Sequence, residues 1–169
     1  QLCFATLQNK LRYAITKITA AELIVSRADS QASNMALTSF KGSIVRKEDI
    51  YIAKNYLNKD ELDSLNRLVV LFLETAELKA KNREAVNMAF WKENVDKILE
   101  LAEYPILQSA GSISNASMKT IVSKIYDDFN ARRKHKEAIA ADQEDLSELQ
   151  NTISIDDIED LSNKLKGKK

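Results

Sequence analysis

Two pairs of carboxylates have a spacing at which they could do chemistry. Glu22 precedes Asp29 by seven residues, and Glu74 precedes Glu77 by three, which places the second pair on one face of a helix. Carboxylate oxygens bind hard metal ions, and a carboxyl group with a shifted pKa serves as a general acid or base. These pairs support one hypothesis, a metal-dependent nuclease or toxin-like enzyme. A solvated helix face also explains them, and we favour it because no further residue converges on them.

Histidine and cysteine chemistry is restricted to one residue of each kind, His135 and Cys3. His135 lies in a run of charged residues, so an exposed side chain is the expected state. A single cysteine excludes an intramolecular disulfide and a cysteine-rich metal site. We therefore predict no catalytic residues, no metal and no cofactor, and a reducing, cytoplasmic compartment. No stretch approaches the ~20 apolar residues of a membrane span, so we expect no membrane association.

Five polar residues lie beside apolar stretches and could line a small-molecule pocket between a second helix, an irregular loop at 30–43 and a short third helix. They are Arg27, Asp29, Asn34, Lys54 and Asn55. The alternative is that they cap helices and satisfy the backbone groups of the irregular loop. We favour the structural interpretation, and a small-molecule binding site formed by these residues is the alternative hypothesis.

A basic run is the second candidate binding element. It contains Arg132, Arg133, Lys134 and Lys136, which could contact phosphates without sequence preference. Acidic residues follow at once, and no aromatic residues interleave to stack on bases. The whole chain has 25 basic and 25 acidic residues, so its net charge offers no electrostatic case for nucleic acid. A solvated helix end is the favoured interpretation.

Composition predicts an all-α fold. Three glycines and one proline in 169 residues suit helices joined by short loops and argue against a β-sandwich. The strongest helical signal is 58–81, where Asn58 and Glu61 have capping-box spacing. Behind them an apolar stripe is accompanied by further apolar residues on other faces, so we predict a central helix buried between several neighbours.

The other helical patterns suggest six to seven helices around that central one. They cover 2–15, a segment after Thr19, 47–57, a segment with Trp91 and Val95, and one that begins at Ser114. The predicted organisation is a compact domain at 1–140, followed by a C-terminal appendage at 141–169 that consists of a polar linker and a short amphipathic helix from Ser154. That last helix, with Ile155, Ile158, Leu161 and Leu165 inward, is too short to be stable alone.

Four segments together resemble the C-terminal region of the RhuM family, bacterial proteins that carry the label of virulence proteins from a pathogenicity island. They are FATLQNKLRYAI, TAAELIVSRADSQASNMALTSFKG, RKEDIYIAKNYLNKDELDSLNRLVVLFLETAE and ILQSAGSIS. The resemblance covers about residues 2–130. Family members commonly have a glycine at the position of Ala36 and a tryptophan at that of Phe40. The alanine argues against a loop that needs the backbone freedom of glycine.

The resemblance implies an association with DNA through an upstream segment and supplies no catalytic residue. In the family an upstream segment resembles a helix-turn-helix or phage-antirepressor DNA-binding domain, so we expect the chain to lack an N-terminal domain through which any DNA contact is made. The family has no established catalytic residues. The leading hypothesis is a helical interaction or oligomerisation module of a DNA-associated bacterial regulator, with a second copy or another protein as partner. The alternative is the carboxylate-based enzyme.

Overall fold

The computed structural model describes the backbone of residues 2–166 and the side chains of residues 6–150. This part of the chain contains helices and no strand, which confirms the all-α prediction. The helices are α1 (Leu2–Thr16), α2 (Ala20–Arg27), α3 (Lys59–Lys81), α4 (Met88–Leu101) and α5 (Asn115–Lys166), and short 3-10 turns cover Ser33–Ala36, Asp49–Tyr51 and Ala53–Tyr56. The chain divides into two compact units, Gln1–Asp127 and Asp128–Lys169.

The predicted count of six to seven helices is not confirmed, and one reason lies at 47–57. Two 3-10 turns occupy this stretch, separated by the extended backbone of Ile52. The Asp49 carboxylate accepts the Arg46 backbone N–H at 2.9 Å, and the Asn55 amide donates to the Asp49 carbonyl at 3.0 Å. Local side-chain bonds of this kind compete with α-helical bonding.

The second reason is the length of α5, which continues as one helix of 52 residues. Its first turn is capped by Ser114, whose Oγ accepts the Ser117 N–H at 3.0 Å. The sequence has no glycine or proline from 112 to 166, so no residue in that stretch forces the helix to end. The predicted inward face of the last helix, at 155–165, lies outside the residues whose side chains are described. The predicted boundary at 140 stays a prediction.

Helix α1, rather than α3, has the central position in the first unit, because α1 contacts α2, α3 and α4. Their shared core consists of Leu11, Ala14, Leu68, Phe72, Val95 and Leu99. Helix α3 contributes a narrow stripe, since only Leu68 and Phe72 of its side chains are buried. The apolar side chains of Val69, Val70, Leu71 and Leu73 are 38–59% exposed. The prediction that α3 is buried on several sides is therefore not confirmed.

A second set of contacts joins α2 to the 3-10 turns. Helix α2 packs on the Ala53–Tyr56 turn, and Tyr56 is almost completely buried. Its hydroxyl donates to the Ile50 carbonyl at 3.0 Å, which satisfies the one polar atom of a side chain that is otherwise apolar. Burial raises the pKa of this phenol. These contacts fix the loop that carries most of the predicted pocket residues.

Candidate functional site

Arg27 forms the most extensive side-chain contact among the predicted pocket residues. It is the last residue of α2, and its guanidinium donates to both carboxylate oxygens of Glu61 at 2.6 and 2.5 Å and to the Tyr56 carbonyl at 2.7 Å. The same Glu61 carboxylate accepts the Asn58 backbone N–H at 2.9 Å, which completes the predicted capping box of α3. Hydrogen bonding from Arg27 lowers the pKa of Glu61. Arg27 thus ties the end of α2 to the start of α3.

Asn55 closes the irregular loop onto the 3-10 turns. Its backbone carbonyl accepts the N–H of Thr38 at 2.7 Å and the Thr38 hydroxyl at 3.0 Å. Its side-chain amide donates to the carbonyl of Asp49, a nearly buried residue in the preceding turn. The donor and acceptor groups of Asn55 that a ligand would need are therefore bonded to the protein itself.

The other three predicted pocket residues have separate environments. The Asp29 carboxylate accepts the Gln31 backbone N–H at 2.8 Å, which is an Asx turn at the exit of α2. Asn34 adopts a left-handed backbone with φ of 52°, and Lys54 is exposed. Loop closure accounts for the positions of Arg27, Asp29 and Asn55. Whether the five residues also bind a small molecule stays a prediction.

The irregular loop contains a left-handed segment that the sequence did not indicate. Asn34, Met35 and Ala36 have φ values of 52°, 58° and 61° in succession. Met35 is completely buried at this point, so the unusual backbone places an apolar side chain inside the first unit. The expectation that Ala36 marks a position without need of glycine's freedom is wrong, because its φ lies in the region that favours glycine.

The Glu22 carboxylate is engaged in hydrogen bonds with two separate segments of the first unit. Its carboxylate accepts hydrogen bonds from the backbone N–H and the hydroxyl of Ser112 at 2.7 and 2.6 Å, and from the same two groups of Thr19 at 2.8 and 2.7 Å. Hydrogen bonds from Ser112, with those of Thr19, lower the pKa of Glu22 to about 2. A carboxyl group with that pKa stays ionised near neutral pH, where it is unsuited to general acid or base catalysis.

The other acidic pair considered as a site lies on the surface of α3. Glu74 and Glu77 are exposed on α3. Within the described residues, no group of three or more histidine, cysteine, aspartate or glutamate side chains could hold a metal ion. The carboxylates singled out in the sequence therefore gain no geometric support as a site.

An apolar groove between α1, α3 and α4 is the feature that sequence reasoning missed. It has a volume of about 350 Å³ and is lined by Leu7, Gln8, Leu11, Val69, Phe72, Leu73, Met88 and Trp91. A neighbouring cavity of about 400 Å³ shares Leu7, Met88 and Trp91. Trp91 packs on Phe72 with ring centroids 5.4 Å apart. The signal that could have located the groove is the surplus of apolar residues on α3 beyond one helical stripe.

The predicted nucleic-acid residues lie on the helix of the second unit. Arg132 pairs with Asp128 at 3.2 Å, and Arg133 pairs with Glu137 at 2.8 Å and donates to the Asn130 side-chain oxygen at 2.8 Å. Lys134 and Lys136 are exposed. Two of the four cations are thus engaged within the helix, and direct contact of this segment with nucleic acid stays a prediction.

Comparison with known proteins gives one match. The model of the Virulence protein RhuM family matches residues 1–137, which includes the whole first unit. No curated protein and no solved structure matches the chain. Among the described residues, no helix combines the length and apolar character that crossing a membrane requires. Because the family model covers well over half of the sequence, this chain belongs to the RhuM family.

Proposed function

We propose that this chain is a helical interaction module through which copies of a DNA-associated RhuM-family regulator associate. The observation that carries the proposal is the exposed helical surface of the second unit. From residue 131 to residue 150 every side chain is exposed except that of Arg133, which is partly buried. This surface includes Ile139, Leu146 and Leu149, whose side chains are 43%, 58% and 57% exposed.

An exposed helix of this kind needs stabilisation from ion pairs along the helix or from another molecule. The described i,i+4 ion pairs of the second unit, Arg132–Asp128 and Arg133–Glu137, both lie before residue 138. Each such pair contributes about 0.3–0.5 kcal/mol. The apolar side chains at 139, 146 and 149 gain more when a partner covers them, since complete burial of a leucine or isoleucine is favourable by about 1.5–3 kcal/mol and about half of each side chain is exposed.

The DNA-associated part of the proposal rests on the family resemblance, in which a DNA-binding segment lies upstream. A module that pairs copies suits such a regulator, because a two-fold symmetric dimer presents two DNA-binding segments to two half-sites. We place this assembly in the cytoplasm, as the single cysteine predicts. No observation in the first unit favours the enzyme alternative, since Glu22 is saturated with hydrogen bonds and the other candidate carboxylates are exposed.

Light scattering across a hundredfold range of concentration tests the proposal. We expect the full chain to approach twice its monomer mass of 19.1 kDa and a chain that ends at residue 141 to stay monomeric. A control with Val70→Gln and Leu73→Gln, which alters the exposed apolar face of α3 but not α5, should keep the dimer mass. A full chain that stays monomeric throughout would contradict self-association. A truncated chain that still dimerises would contradict the role of α5.

A further inference from the structure

We infer that the second copy lies antiparallel along residues 128–150 of α5, with the two helices crossing near Ile139. The inference rests on the proposed function, because it specifies how the associating copies meet. Antiparallel packing of one segment against itself forms an isologous interface, in which the same surface of both copies is used and the assembly closes as a dimer.

The first argument is the distribution of charge along this segment. A basic block at 132–136 contains two arginines, two lysines and His135, and an acidic block at 142–148 contains four carboxylates and no basic residue. The centres of the two blocks are eleven residues apart in the sequence, or about 16 Å along a helix. Ile139 lies midway between them. An antiparallel copy centred there brings each basic block opposite an acidic block.

Parallel packing gives the opposite result. It places the basic blocks of the two copies side by side and the acidic blocks side by side, and like charges in contact at an interface are unfavourable. The helix dipoles also favour the antiparallel arrangement, because the positive end of each helix then lies beside the negative end of its neighbour. Charge and dipole together therefore select one orientation.

The second argument is that charges suitable for pairing are available. Within the part of the chain that the structure describes, Lys134, Lys136, Asp142 and Glu144 take part in no ion pair. All four side chains are exposed. In an antiparallel pair centred at Ile139, position 136 of one copy lies level with position 142 of the other, and both positions are about 60° from Ile139 around the helix, at the edge of the face that meets the partner. Lys136 and Asp142, which form no ion pair among the described residues of one copy, thus each lie level with an opposite charge on the second copy.

The third argument concerns the crossing point itself. Residues 138–141 read Ala-Ile-Ala-Ala, the one uncharged stretch of that length between the two blocks. Small side chains allow two helix axes to approach to about 8 Å. The exposed Ile139 then meets its own counterpart, and Leu146 lies level with the aliphatic stem of Arg132 in the other copy. The side chains at the centre of the segment are apolar and mostly small, as close contact between two helices requires, and the side chains at its two ends are charged.

Charge reversal tests the orientation, with dimer affinity from analytical ultracentrifugation as the readout. The basic-reversed variant carries Lys136→Glu, and the acid-reversed variant carries Asp142→Lys. We expect each to weaken the dimer by about tenfold or more, since both symmetry-related contacts between positions 136 and 142 become like-charged. The variant with both changes should return to within about threefold of the wild-type Kd, because opposite charges again lie level with each other. The matched control, Lys124→Glu on the same helix, should leave affinity unchanged.

Disulfide trapping in a Cys3→Ser background gives an independent readout. Ile139→Cys should cross-link to itself in the oxidised dimer. Gln150→Cys should not, because antiparallel copies place the two 150 positions about 33 Å apart at 1.5 Å per residue, far beyond the ~7 Å limit for a disulfide. Mixing Gln150→Cys with Asp128→Cys should produce a cross-link between the two chains.

The outcomes separate this inference from the proposed function. Self-cross-linking of Gln150→Cys in a stable dimer would overturn the antiparallel arrangement and leave self-association intact. A stable dimer whose Kd is unchanged by every charge reversal, and that gives no cross-link at 139, would place the interface elsewhere and also overturn the inference. A wild-type chain that never dimerises would refute both.

Discussion

The left-handed backbone at Ala36 predicts that glycine at this position is better tolerated than glycine elsewhere in the same loop. Ala36 has φ of 61°, which costs an L-residue about 1–2 kcal/mol relative to right-handed or extended backbone. Glycine adopts this conformation without that penalty. Ala32 provides the matched control, because it lies four residues earlier, is also partly buried, and has extended backbone with φ of −73° and ψ of 151°.

The magnitude follows from comparing the two variants. Each substitution adds conformational freedom to the unfolded chain, which costs about 0.4–1 kcal/mol of stability. Each also removes a half-buried methyl group, which costs roughly 0.4 kcal/mol. Only Ala36→Gly removes the left-handed penalty. The shared costs cancel in the difference, so the free energy of unfolding of Ala36→Gly should exceed that of Ala32→Gly by about 1.5 kcal/mol.

Urea denaturation followed by the fluorescence of Trp91 is the assay, because Trp91 is the sole tryptophan and packs in the first unit. Equal m-values for the two variants are the condition for comparing their midpoints. The same difference should appear as about 3–6 °C in Tm for a protein of this size. Two variants with equal stability, or a less stable Ala36→Gly, would refute the reasoning, because Ala36 would then carry no left-handed penalty.

Three further predictions concern the contacts of the first unit. Arg27→Ala should lower the free energy of unfolding by about 1–2 kcal/mol through loss of its bonds to Glu61, while Arg67→Ala, which breaks an exposed pair, should leave urea unfolding unchanged. Because the folded pKa of Glu22 is lowered to about 2 from 4.5, its stabilisation is complete above about pH 4.5 and is lost as the pH falls through 2. A plot of Tm against pH should therefore be flatter for Glu22→Gln over that window. Gly111→Ala should be destabilising, because φ is 81° and the new Cβ would lie 2.6 Å from the Thr19 side chain; if thermal melts show wild-type stability, that packing is not as described.

The local features of this fold were predictable because they depend on a few neighbouring residues. The capping boxes Thr19–Glu22 and Asn58–Glu61 both form as their spacing indicates. The second partner of each glutamate was not predictable. Ser112 lies 90 residues from Glu22, and Arg27 lies 34 residues from Glu61. Sequence spacing identifies the helical cap, but only the tertiary fold brings the distant donor to the same carboxylate.

The position of α3 shows a different limit. Apolar periodicity indicates that a helix has a packing face, but it does not say which neighbour covers that face or whether a second apolar face is covered at all. In this protein α1 packs against the stripe with Leu68 and Phe72, and Val70 and Leu73 stay exposed. The continuous α5 was missed for the converse reason. Between residues 130 and 152 its large apolar residues are Ile139, Leu146 and Leu149, too few to set a period, and the informative signal was the lack of glycine and proline.

The polar residues of the first unit whose types suit chemistry are used by the fold itself. Glu22, Arg27 and Asn55 each bond to backbone groups or cap a helix, so binding a ligand with any of them would first require breaking a bond within the fold. The interaction free energy of such a ligand would have to exceed the free energy lost with those hydrogen bonds. The exposed apolar and charged side chains of α5 carry no such penalty, because water is what a partner displaces there. Association through α5 is therefore the interaction that this chain can make at the lowest cost to its own fold, and the charge-reversed α5 variants measure it.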